Sequence, residues 1–417
     1  MVPKGWTLGT LKDLADTIMG YAFRSEDFVP TGIPLLRMGN LYQNTLDLNR
    51  NPVYLPDSFK VDYKRFLVSP GDLVMSMTGT MGKRDYGFTV EIPSHTQCSL
   101  LNQRVLKIVP KNNASSGYIL NLLRSELILS VLYSFPGGTK QANLSAKQLQ
   151  ELPVLIPPEL EQKKIAQILS TWDKAISVTE KLLTNSQQQK KALMQQLLTG
   201  QKRLLDENGV RFSGDWNSSK LGDLFNFKKG KGLSKSDLSE SGINKCILYG
   251  ELYTKYAEIA YEVISRTNSS DGQLSEPGDI LLPASTTTSG IDLANATALS
   301  EGGILLGGDI NILRPKVRLS SPFLAYFLTH MKKNEISSRA QGITIIHLYG
   351  GDLKSIDIVL PSTVQEQQKI ATVLSAADAE ISTLEKKLAC LRDEKKALMQ
   401  QLLTGKRRVK VDEAVAV

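Results

Sequence analysis

The sequence predicts a protein of the α+β class. We expect two homologous mixed α/β domains that alternate with two long helices, the helices pairing as an antiparallel coiled coil about a pseudo-twofold axis. Three observations predict this. Residues 190–200 and 395–405 are identical, the sequence before them repeats at the same spacing of 205, and both repeats carry apolar residues at coiled-coil spacing. A repeat near half the chain length indicates two copies of a domain-sized unit.

The repeat is longer than its identical core, KKALMQQLLTG. Between residues 161–200 and 366–405, 24 of 40 positions are identical, without a gap. This degree of identity within one chain indicates a duplication.

Both repeats have the residue spacing of a coiled-coil helix. The first copy places at alternating steps of four and three the residues Ile165, Leu169, Trp172, Ile176, Thr179, Leu183, Ser186, Lys190, Leu193 and Leu197. The second copy has Ile370, Leu374, Ala377, Ile381, Leu384, Leu388, Leu391, Lys395, Leu398 and Leu402. Such a pattern over about five heptads is an a/d seam, and each helix should extend roughly 60 Å. An ordinary surface helix buried on its own domain is the alternative.

Start and stop signals give the predicted boundaries. Pro157-Pro158 precedes the first helix, Ser362 and Gln365 have capping-box spacing before the second, and Gly200 and Gly405 supply left-handed residues after the helices. The predicted segments are therefore residues 1–158 (first domain), 159–200 (first helix), 201–363 (second domain), 364–405 (second helix) and 406–417 (basic tail).

The first domain shows alternating strand, turn and helix signals. Strands are predicted at 33–38, 72–77, 105–109 and 152–156, a turn at Pro70-Gly71, a loop at 78–83, one helix over 116–133 and a polar loop at 136–140. The second domain echoes the pattern with a strand after Pro277-Gly278, a strand at 310–313 and a helix from about Pro322. The two domains are therefore homologous, although they have diverged far more than the helices. Surfaces that bind different ligands diverge in this way.

Composition limits the class of protein. The formal net charge is +8, but residues 1–158 carry 16 basic and 12 acidic groups whereas residues 201–363 carry 18 of each, so charge alone argues weakly for nucleic acid. No apolar run is long enough for a membrane span, and the first residues lack the apolar region of a signal peptide. Three unclustered cysteines suit a reducing cytoplasm, where we expect the protein to act.

Catalytic motifs are weak. Asn51-Pro52-Val53-Tyr54 resembles the target-amine loop of amino-methyltransferases, but no glycine-rich loop accompanies it. Asp57 with Asp62 and Lys64 matches a nuclease pattern whose halves lie too close together for an intervening strand. The histidines are isolated, and neither a phosphate-binding loop nor a metal-ligand cluster has the right spacing. The sequence predicts no catalytic site and no metal site in this chain.

The order of two diverged domains and two near-identical helices resembles the specificity subunit of type I restriction-modification systems. The resemblance covers the whole chain. It is carried by IPPELEQKKIAQIL at 156–169, LPSTVQEQQKIATVL at 360–374, both KKALMQQLLTG ends and SPGDLVMSMTGTMGK at 69–83. The second domain departs from the last block, with Pro-Ala-Ser-Thr-Thr-Thr at 283–288, which leaves no shared role for Lys83.

The resemblance implies a non-catalytic DNA-binding subunit. Each domain would read one half of a bipartite target in double-stranded DNA, and the helices would hold two methyltransferase subunits and ATP-dependent restriction subunits. S-adenosylmethionine, ATP and Mg would be bound by those partners, with no cofactor in this chain. Antiparallel helices would invert one domain relative to the other, with half-sites about one helical turn apart. A modification-only or other restriction enzyme type, or a coiled-coil adaptor that binds protein, are the alternatives.

Candidate DNA contacts are polar residues in predicted loops and at strand ends, because Arg, Asn and Gln read base edges while Lys binds phosphate. They are Arg37, Asn40, Gln43, Thr80, Lys83, Arg84 and Lys140 in the first domain and Lys229, Lys231, Thr287, Gln341 and Thr344 in the second. Candidate residues for subunit assembly are Trp172, Lys190, Leu193, Leu197, Lys395, Leu398 and Leu402. The two seam lysines are expected to fix helix register or to contact partner subunits.

Overall fold

The structure is a computed structural model that describes residues 2–135 and 141–411. It forms two compact units, and each is described by itself. The first contains the described parts of Met1–Lys181 and Lys386–Val417, and the second contains Leu182–Glu385. Both long helices are divided between the units, so each unit contains half of one helix and half of the other.

The first unit contains fourteen described strands. They are β1 (Thr7–Thr10), β2 (Ala15–Met19), β3 (Ile33–Leu36), β4 (Leu41–Tyr42), β5 (Thr45–Leu46), β6 (Tyr54–Leu55), β7 (Leu67–Val68), β8 (Leu73–Ser76), β9 (Thr78–Thr80), β10 (Thr89–Glu91), β11 (Ser99–Leu101), β12 (Val105–Pro110), β13 (Gln141–Asn143) and β14 (Pro153–Ile156). Its helices are α1 (Leu11–Leu14), α2 (Phe59–Asp62), α3 (Ser116–Arg124), α4 (Glu126–Ser134), α5 (Ala146–Gln150) and the start of α6 (Glu159–Leu197).

The second unit contains thirteen described strands. They are β15 (Trp216–Lys220), β16 (Phe225–Lys229), β17 (Asn244–Ile247), β18 (Ile259–Ala260), β19 (Arg266–Thr267), β20 (Gln273–Leu274), β21 (Ile280–Pro283), β22 (Ser285–Thr286), β23 (Thr297–Leu299), β24 (Leu305–Leu306), β25 (Ile310–Pro315), β26 (Ile346–His347) and β27 (Asp357–Pro361). Its helices are α7 (Leu221–Leu224), α8 (Glu251–Thr254), α9 (Ser321–Met331), α10 (Lys333–Ser337), α11 (Gly350–Leu353) and the start of α12 (Val364–Leu403).

The two units share one sheet plan. The main sheet has the order β10-β8-β12-β2 in the first unit and β18-β23-β21-β25-β16 in the second, which is the same antiparallel arrangement with β18 added in parallel. A second sheet, β6-β3-β11-β7 or β19-β17-β24-β20, contains one parallel pair in each unit. A duplicated domain therefore underlies both units.

Two features of the first domain differ from the prediction. The segment 116–133 is two helices rather than one, because Ser125 is extended (φ −78°, ψ 149°) and ends α3. The predicted loop at 78–83 contains strand β9, which pairs with β13. The break between the helices was missed because apolar spacing continues across a single extended residue. Strand β9 was missed because pairing with a strand some sixty positions away leaves no local sequence signal.

The long helices begin and end close to the predicted residues. Gly200 (φ +72°) and Gly405 (φ +67°) are left-handed, which confirms the predicted stop signals. The predicted capping pair before the second helix is wrong by one residue. Thr363, not Ser362, accepts the amide of Glu366 at 3.4 Å, because α12 begins at Val364.

The predicted seam residues all lie inward. Each of the twenty a/d positions is buried or half-buried. The ends of the seam pack into domain cores, however, since Ile165 and Leu402 belong to the main core of the first unit and Leu197 and Ile370 to that of the second. Each repeat is thus a coiled-coil helix along its middle, and its two ends belong to the cores of different units.

Polar pairs fix the helix direction within each unit. In the first unit Lys395 Nζ lies 2.6 Å from Asp173 Oδ1 and Arg392 Nη2 lies 2.7 Å from Glu180 Oε1. In the second unit Ser186 Oγ donates to Glu380 at 3.0 Å, and Lys190 pairs with Asp378. Residue numbers rise along one helix as they fall along the other, so both halves are antiparallel.

A carboxylate just before an equivalent strand of each main sheet pairs with a cation on the neighbouring strand, but the two cations stand at different positions. In the second unit Arg314 donates to Asp279 through Nε (2.9 Å) and Nη2 (2.8 Å), and the carboxylate is fully buried. In the first unit Lys107 Nζ lies 2.6 Å from Asp72 Oδ2, at a more exposed site. Lys107 pairs in register with Val74 and so corresponds to Ile312, not to Arg314.

We expect Asp279→Ala to lower the free energy of unfolding by about 3 kcal/mol, because it leaves the Arg314 guanidinium with the exposed Glu276 carboxylate as its remaining counter-charge. The matched change Asp72→Ala should cost about 1–2 kcal/mol, since Lys107 can reach solvent. Urea unfolding of the purified chain measures both. Equal losses would contradict the interpretation of the second pair as the buried one.

Candidate nucleic-acid interface

A groove rich in arginine lies in the first unit beside β4. It has a volume of about 490 Å³ and is lined in part by Arg37, Arg50, Arg104, Tyr42 and Asn102. The Arg50 guanidinium lies 5.1 Å from the centre of the Tyr42 ring, and Arg37 Nη2 donates to Asn51 O at 2.5 Å. Three guanidinium groups with amides and an aromatic ring can contact both phosphates and base edges.

Asn40 has a structural role in this groove. It is buried, and its amide nitrogen donates to Asp47 O (2.9 Å) and Arg50 O (3.0 Å) while its oxygen accepts from the amide of Arg37 (2.9 Å). The side-chain amide of Asn40 is thus engaged within the loop, and a direct base contact by this predicted DNA-binding residue would require these hydrogen bonds to break. Asn40 holds the backbone that presents Arg37 and Arg50.

The other candidates of the first unit lie on neighbouring turns. Gln43 is exposed at a left-handed position (φ +49°). Thr80 and Lys83 are exposed, with the amide of Lys83 on Thr80 O at 3.0 Å. Arg84 forms a two-point ion pair with Glu126 (3.1 and 3.2 Å) and covers the Tyr133 ring, so its guanidinium links the turn to α4. Lys140 lies outside the described residues.

Asp85 organises the turn after β9. Its Oδ1 accepts the amide of Thr80 at 2.7 Å, and it also lines the arginine groove. Although burial raises the pKa of Asp85, hydrogen bonds from Thr80 and the charge of Lys83 outweigh it and lower the pKa overall. The carboxylate therefore stays ionised and gives the three arginines a local counter-charge.

The second unit has a smaller basic groove of about 240 Å³ beside β16. Lys228, Lys229, Lys354, His347 and Tyr349 are among its lining residues. Lys229 Nζ lies 3.7 Å from Asp309 Oδ1. Ammonium groups bind phosphate as point charges and carry little base information, so this groove differs in chemistry from the arginine groove of the first unit.

The remaining candidates of the second unit are exposed but fall in different places. Lys231 pairs with Asp271 at 3.2 Å, and Thr287 follows β22. Gln341 and Thr344 belong to one hairpin whose base pairs with β22. The structure thus brings Lys229 to the basic groove and Gln341 and Thr344 to the hairpin, whereas Lys231 lies on a separate loop.

Several residues of both grooves were not predicted. They are Arg50, Arg104, Lys228, His347, Tyr349 and Lys354. Lys228 could have been chosen beside Lys229, but the others are brought together only by folding. The Asn51-Pro52-Val53-Tyr54 segment is a turn that leads into β6, and Asn51 there accepts a hydrogen bond from Arg37.

An arginine after each helix binds a glutamate at the start of the other. In the first unit Arg408 Nε donates to Glu161 Oε2 at 3.1 Å, and the Trp6 indole donates to the same oxygen at 3.1 Å. In the second unit Arg203 Nη2 donates to Glu366 Oε2 at 2.7 Å. These Arg–Glu pairs account for the identical glutamates of the two repeats.

The predicted assembly residues divide into two groups. Leu197 and Leu402 are fully buried in domain cores, and Leu193 and Leu398 pack against the same cores. The role of these four leucines in subunit assembly stays a prediction. Trp172, Lys190 and Lys395 are half-buried. Among the repeated residues, those that stay exposed in both copies of KKALMQQLLTG are Lys191, Ala192, Gln195 and Gln196 and their counterparts Lys396, Ala397, Gln400 and Gln401.

Neither a membrane span nor a metal cluster occurs in the described chain. No helix among residues 2–135 and 141–411 is both long and apolar enough to cross a membrane. Over the same residues, His, Cys, Asp and Glu side chains form no group of three or more that could hold a metal ion.

Comparison with known proteins assigns the family. The family described as the type I restriction modification DNA specificity domain matches residues 3–185 and again residues 213–391. The chain belongs to this family. Each match covers one recognition domain together with most of the helix that follows it.

Relatives and solved structures agree with this assignment. The type I restriction enzyme MjaVIII specificity subunit of Methanocaldococcus jannaschii is 25% identical over 371 residues, which cover 84% of this chain and 82% of the relative. The fold is similar to the crystal structure of a type I restriction-modification system S subunit from M. genitalium, with a TM-score of 0.62, 17% identity and 96% of each chain covered. A chain solved in work on complex assembly and conformational transition of the type I R-M system gives a TM-score of 0.53, with 14% identity over 98% of this chain and all of that one. The predicted fold class and the predicted family are confirmed.

The seam lysines carry a prediction about helix register. Lys395 and Lys190 occupy the same position of the repeat, and each faces the equivalent aspartate, Asp173 or Asp378. In the second unit Tyr326 adds a 2.5 Å hydrogen bond from its hydroxyl to Asp378. A charged residue in an apolar seam stabilises only the register that places an opposite charge in front of it.

Changing both lysines to Leu should alter subunit assembly or the target site, since apolar seams tolerate several registers. Lys190→Asp should lower the free energy of unfolding by about 1–2 kcal/mol, because two half-buried carboxylates then face each other. Adding Asp378→Lys should restore part of the stability by rebuilding the ion pair in reverse, although Tyr326 then loses its carboxylate acceptor. Thermal unfolding and co-purification with partner subunits test this prediction. If assembly, target site and stability were unchanged in all variants, both lysines would be ordinary solvated side chains.

Proposed function

We propose that this chain is the DNA-specificity subunit of a type I restriction-modification complex, in which each recognition domain reads one half of a bipartite target. One observation carries the proposal. The two units share strand order and helix contacts, yet the basic groove lies beside β4 in one and beside β16 in the other, and it is lined by arginines in the first unit and by lysines in the second. One architecture with two different surfaces suits a protein that reads two different sequences.

The arginine groove is suited to base reading. Arg37, Arg50 and Arg104 present planar guanidinium groups, which bind guanine through two hydrogen bonds or bind phosphate. Arg50 and Arg104 are exposed, and the backbone that carries Arg37 and Arg50 is held by buried Asn40. Side chains on a fixed loop lose less conformational entropy on binding.

The helices supply the proposed scaffold for other subunits. Packing explains why the buried residues of the two KKALMQQLLTG segments are identical, but it does not explain identity at the exposed positions 191, 192, 195 and 196 and their counterparts. These positions lie on one helix face because they are one, three and four residues apart. The same exposed face at the end of each helix suits two copies of one methyltransferase subunit.

Catalysis and cofactor binding are assigned to the partners. We infer that S-adenosylmethionine binds to the methyltransferase subunits and that ATP and Mg bind to restriction subunits, while this chain contributes recognition and spacing. The proposed reactions take place on DNA in the cytoplasm. The gap between half-sites would follow from the fixed length of the antiparallel helices.

Methylated-base sequencing tests the proposal in cells that express the partner subunits with and without this chain. We expect a bipartite methylation motif, two short sequences separated by a fixed gap, that disappears when the gene is deleted. A methylome that does not change on deletion would contradict the proposed function. A chain that binds protein alone would also show no salt-sensitive, sequence-selective DNA binding in the assembled complex.

Variants of the two grooves should act on different half-sites. In the assembled complex, Arg50→Ala and Arg104→Ala should each weaken binding by about 1–3 kcal/mol and relax selectivity in one half of the target. Lys228→Ala and Lys354→Ala should weaken binding to all sequences. Each should also reduce by about one the slope of the logarithm of the binding constant against the logarithm of the salt concentration. Competition binding with duplexes mutated in one half at a time measures both effects. Equal loss of selectivity in both halves from the arginine variants would argue against separate readers.

The exposed repeated face should control stoichiometry. Either Lys191→Glu or Lys396→Glu should remove one of two bound methyltransferase subunits, because each reverses the charge at one of the two equivalent faces, and the double variant should remove both. Lys174→Glu is the matched control, since Lys174 is an exposed helix lysine whose counterpart in the second copy is Ala379. The mass of each native complex gives the number of bound methyltransferase subunits. Two bound subunits in the double variant would exclude this face as the docking site.

A further inference from the structure

One hairpin of the second unit is held firmly at its base. The amide of Gln341 donates to His347 O at 2.8 Å, and the amide of His347 donates to Gln341 O at 2.7 Å. The strand β26 then pairs with β22, and the next residue, Leu348, is buried in the core with its amide on Ala284 O at 2.8 Å. The base of the hairpin is therefore part of the folded domain.

The tip of the same hairpin is apolar and exposed. Ile343 has a relative exposure of 101% and Ile345 of 49%. Gly342 makes the turn at φ +130°, where a Cβ atom would lie 2.0 Å from Ile345 O, so the tip conformation requires glycine. Burial of an isoleucine side chain stabilises a protein by about 1.5–3 kcal/mol. Folding of this unit does not bury Ile343 and so does not gain this free energy.

The hairpin borders the basic groove of the second unit. His347 at its base lines this groove together with Lys228, Lys229 and Lys354, and the acidic residue among the lining groups is Asp309, 3.7 Å from Lys229. Three ammonium groups beside one carboxylate favour a polyanion as the neighbour of the hairpin. This charge distribution favours DNA over an apolar protein surface as the environment of Ile343.

The first domain lacks the apolar tip. At the spacing of 204 that relates Leu152 to Ile356, Ile343-Thr344-Ile345 corresponds to Thr139-Lys140-Gln141 in the sequence. The backbone supports this alignment, because the amide of Leu144 donates to Met77 O as that of Leu348 donates to Ala284 O, both at 2.8 Å. The isoleucines are therefore a property of the second domain and are not required by the shared fold.

We propose that Ile343 acts as a wedge that inserts between adjacent base pairs of the half-site read by the second domain. This inference rests on the proposed function. Proteins insert isoleucine and other apolar side chains into base steps from the minor groove, which partly unstacks the bases and kinks the duplex. The lysines of the basic groove hold the phosphates beside the opened step. The second half-site then contains an easily deformed step, such as a pyrimidine–purine step, and its recognition includes a deformation energy.

The test uses the chain assembled with its methyltransferase subunits and duplexes that carry 2-aminopurine at successive positions of the second half-site. We expect fluorescence to rise at one position other than the methylated base when the wild-type complex binds, because unstacking relieves quenching, whereas the methyltransferase itself extrudes the methylated base. Ile343→Ala should abolish the rise and weaken binding about tenfold, while Ile343→Leu should retain both. Ile243→Ala is the matched control, since Ile243 is also an exposed isoleucine of this unit (77%) but lies on a different loop, and it should behave as the wild type.

Each other outcome overturns the inference in a distinguishable way. Sequence-selective binding with no fluorescence rise beyond the methylated base would refute the wedge and leave the proposed function intact. Loss of the methyltransferase subunits from the Ile343→Ala complex would instead assign the hairpin to a protein contact. Absence of sequence-selective DNA binding by the wild-type complex would refute the proposed function and the wedge together.

Discussion

The ion pairs between the two long helices are the interaction on which the rest of the structure depends. Lys395 with Asp173 and Lys190 with Asp378 are the same contact made at equivalent positions of the repeat. A lysine in an apolar seam is stable only opposite an acid, so these pairs specify both direction and register. The core of each unit packs against the start of one helix and the end of the other, as with Ile165 and Leu402 in the first unit. The ion pairs set the register of these two helix segments.

This constraint explains which parts of the chain stayed alike and which diverged. The helix segments must satisfy seam, core and Arg–Glu contacts together, so few substitutions are tolerated. Each domain is attached through equivalent backbone contacts, the amide of Leu11 on Leu152 O and that of Leu221 on Ile356 O, both at 3.0 Å. Between these attachment points the loops are free to vary, and they contain the arginine groove of one domain and the lysine groove and hairpin of the other.

Sequence reasoning recovers the features that repeat or have a local period. The duplication, the helix ends and the seam follow from the spacing of 205 and the heptad pattern. The split of residues 116–133 at Ser125 and the strand at Thr78–Thr80 were missed, because they depend on distant packing and pairing. In the grooves, Arg37 and Lys229 could be chosen as polar loop residues, but Arg104 and Lys354 join them only through folding. The burial of Asn40 could not be predicted, because sequence does not show that a loop amide is buried.

The central claim is that one shared frame carries two separate readers. Replacing residues 221–356 by residues 11–152 tests it most directly, because both segments end at the same hydrogen-bonded positions. Methylated-base sequencing of cells with this chimera and the partner subunits should give a palindromic target, made of the first half-site and its inverted copy. The gap should be unchanged, since the helices are untouched. A target that still contains the original second half-site, or two first half-sites in the same orientation, would contradict the account.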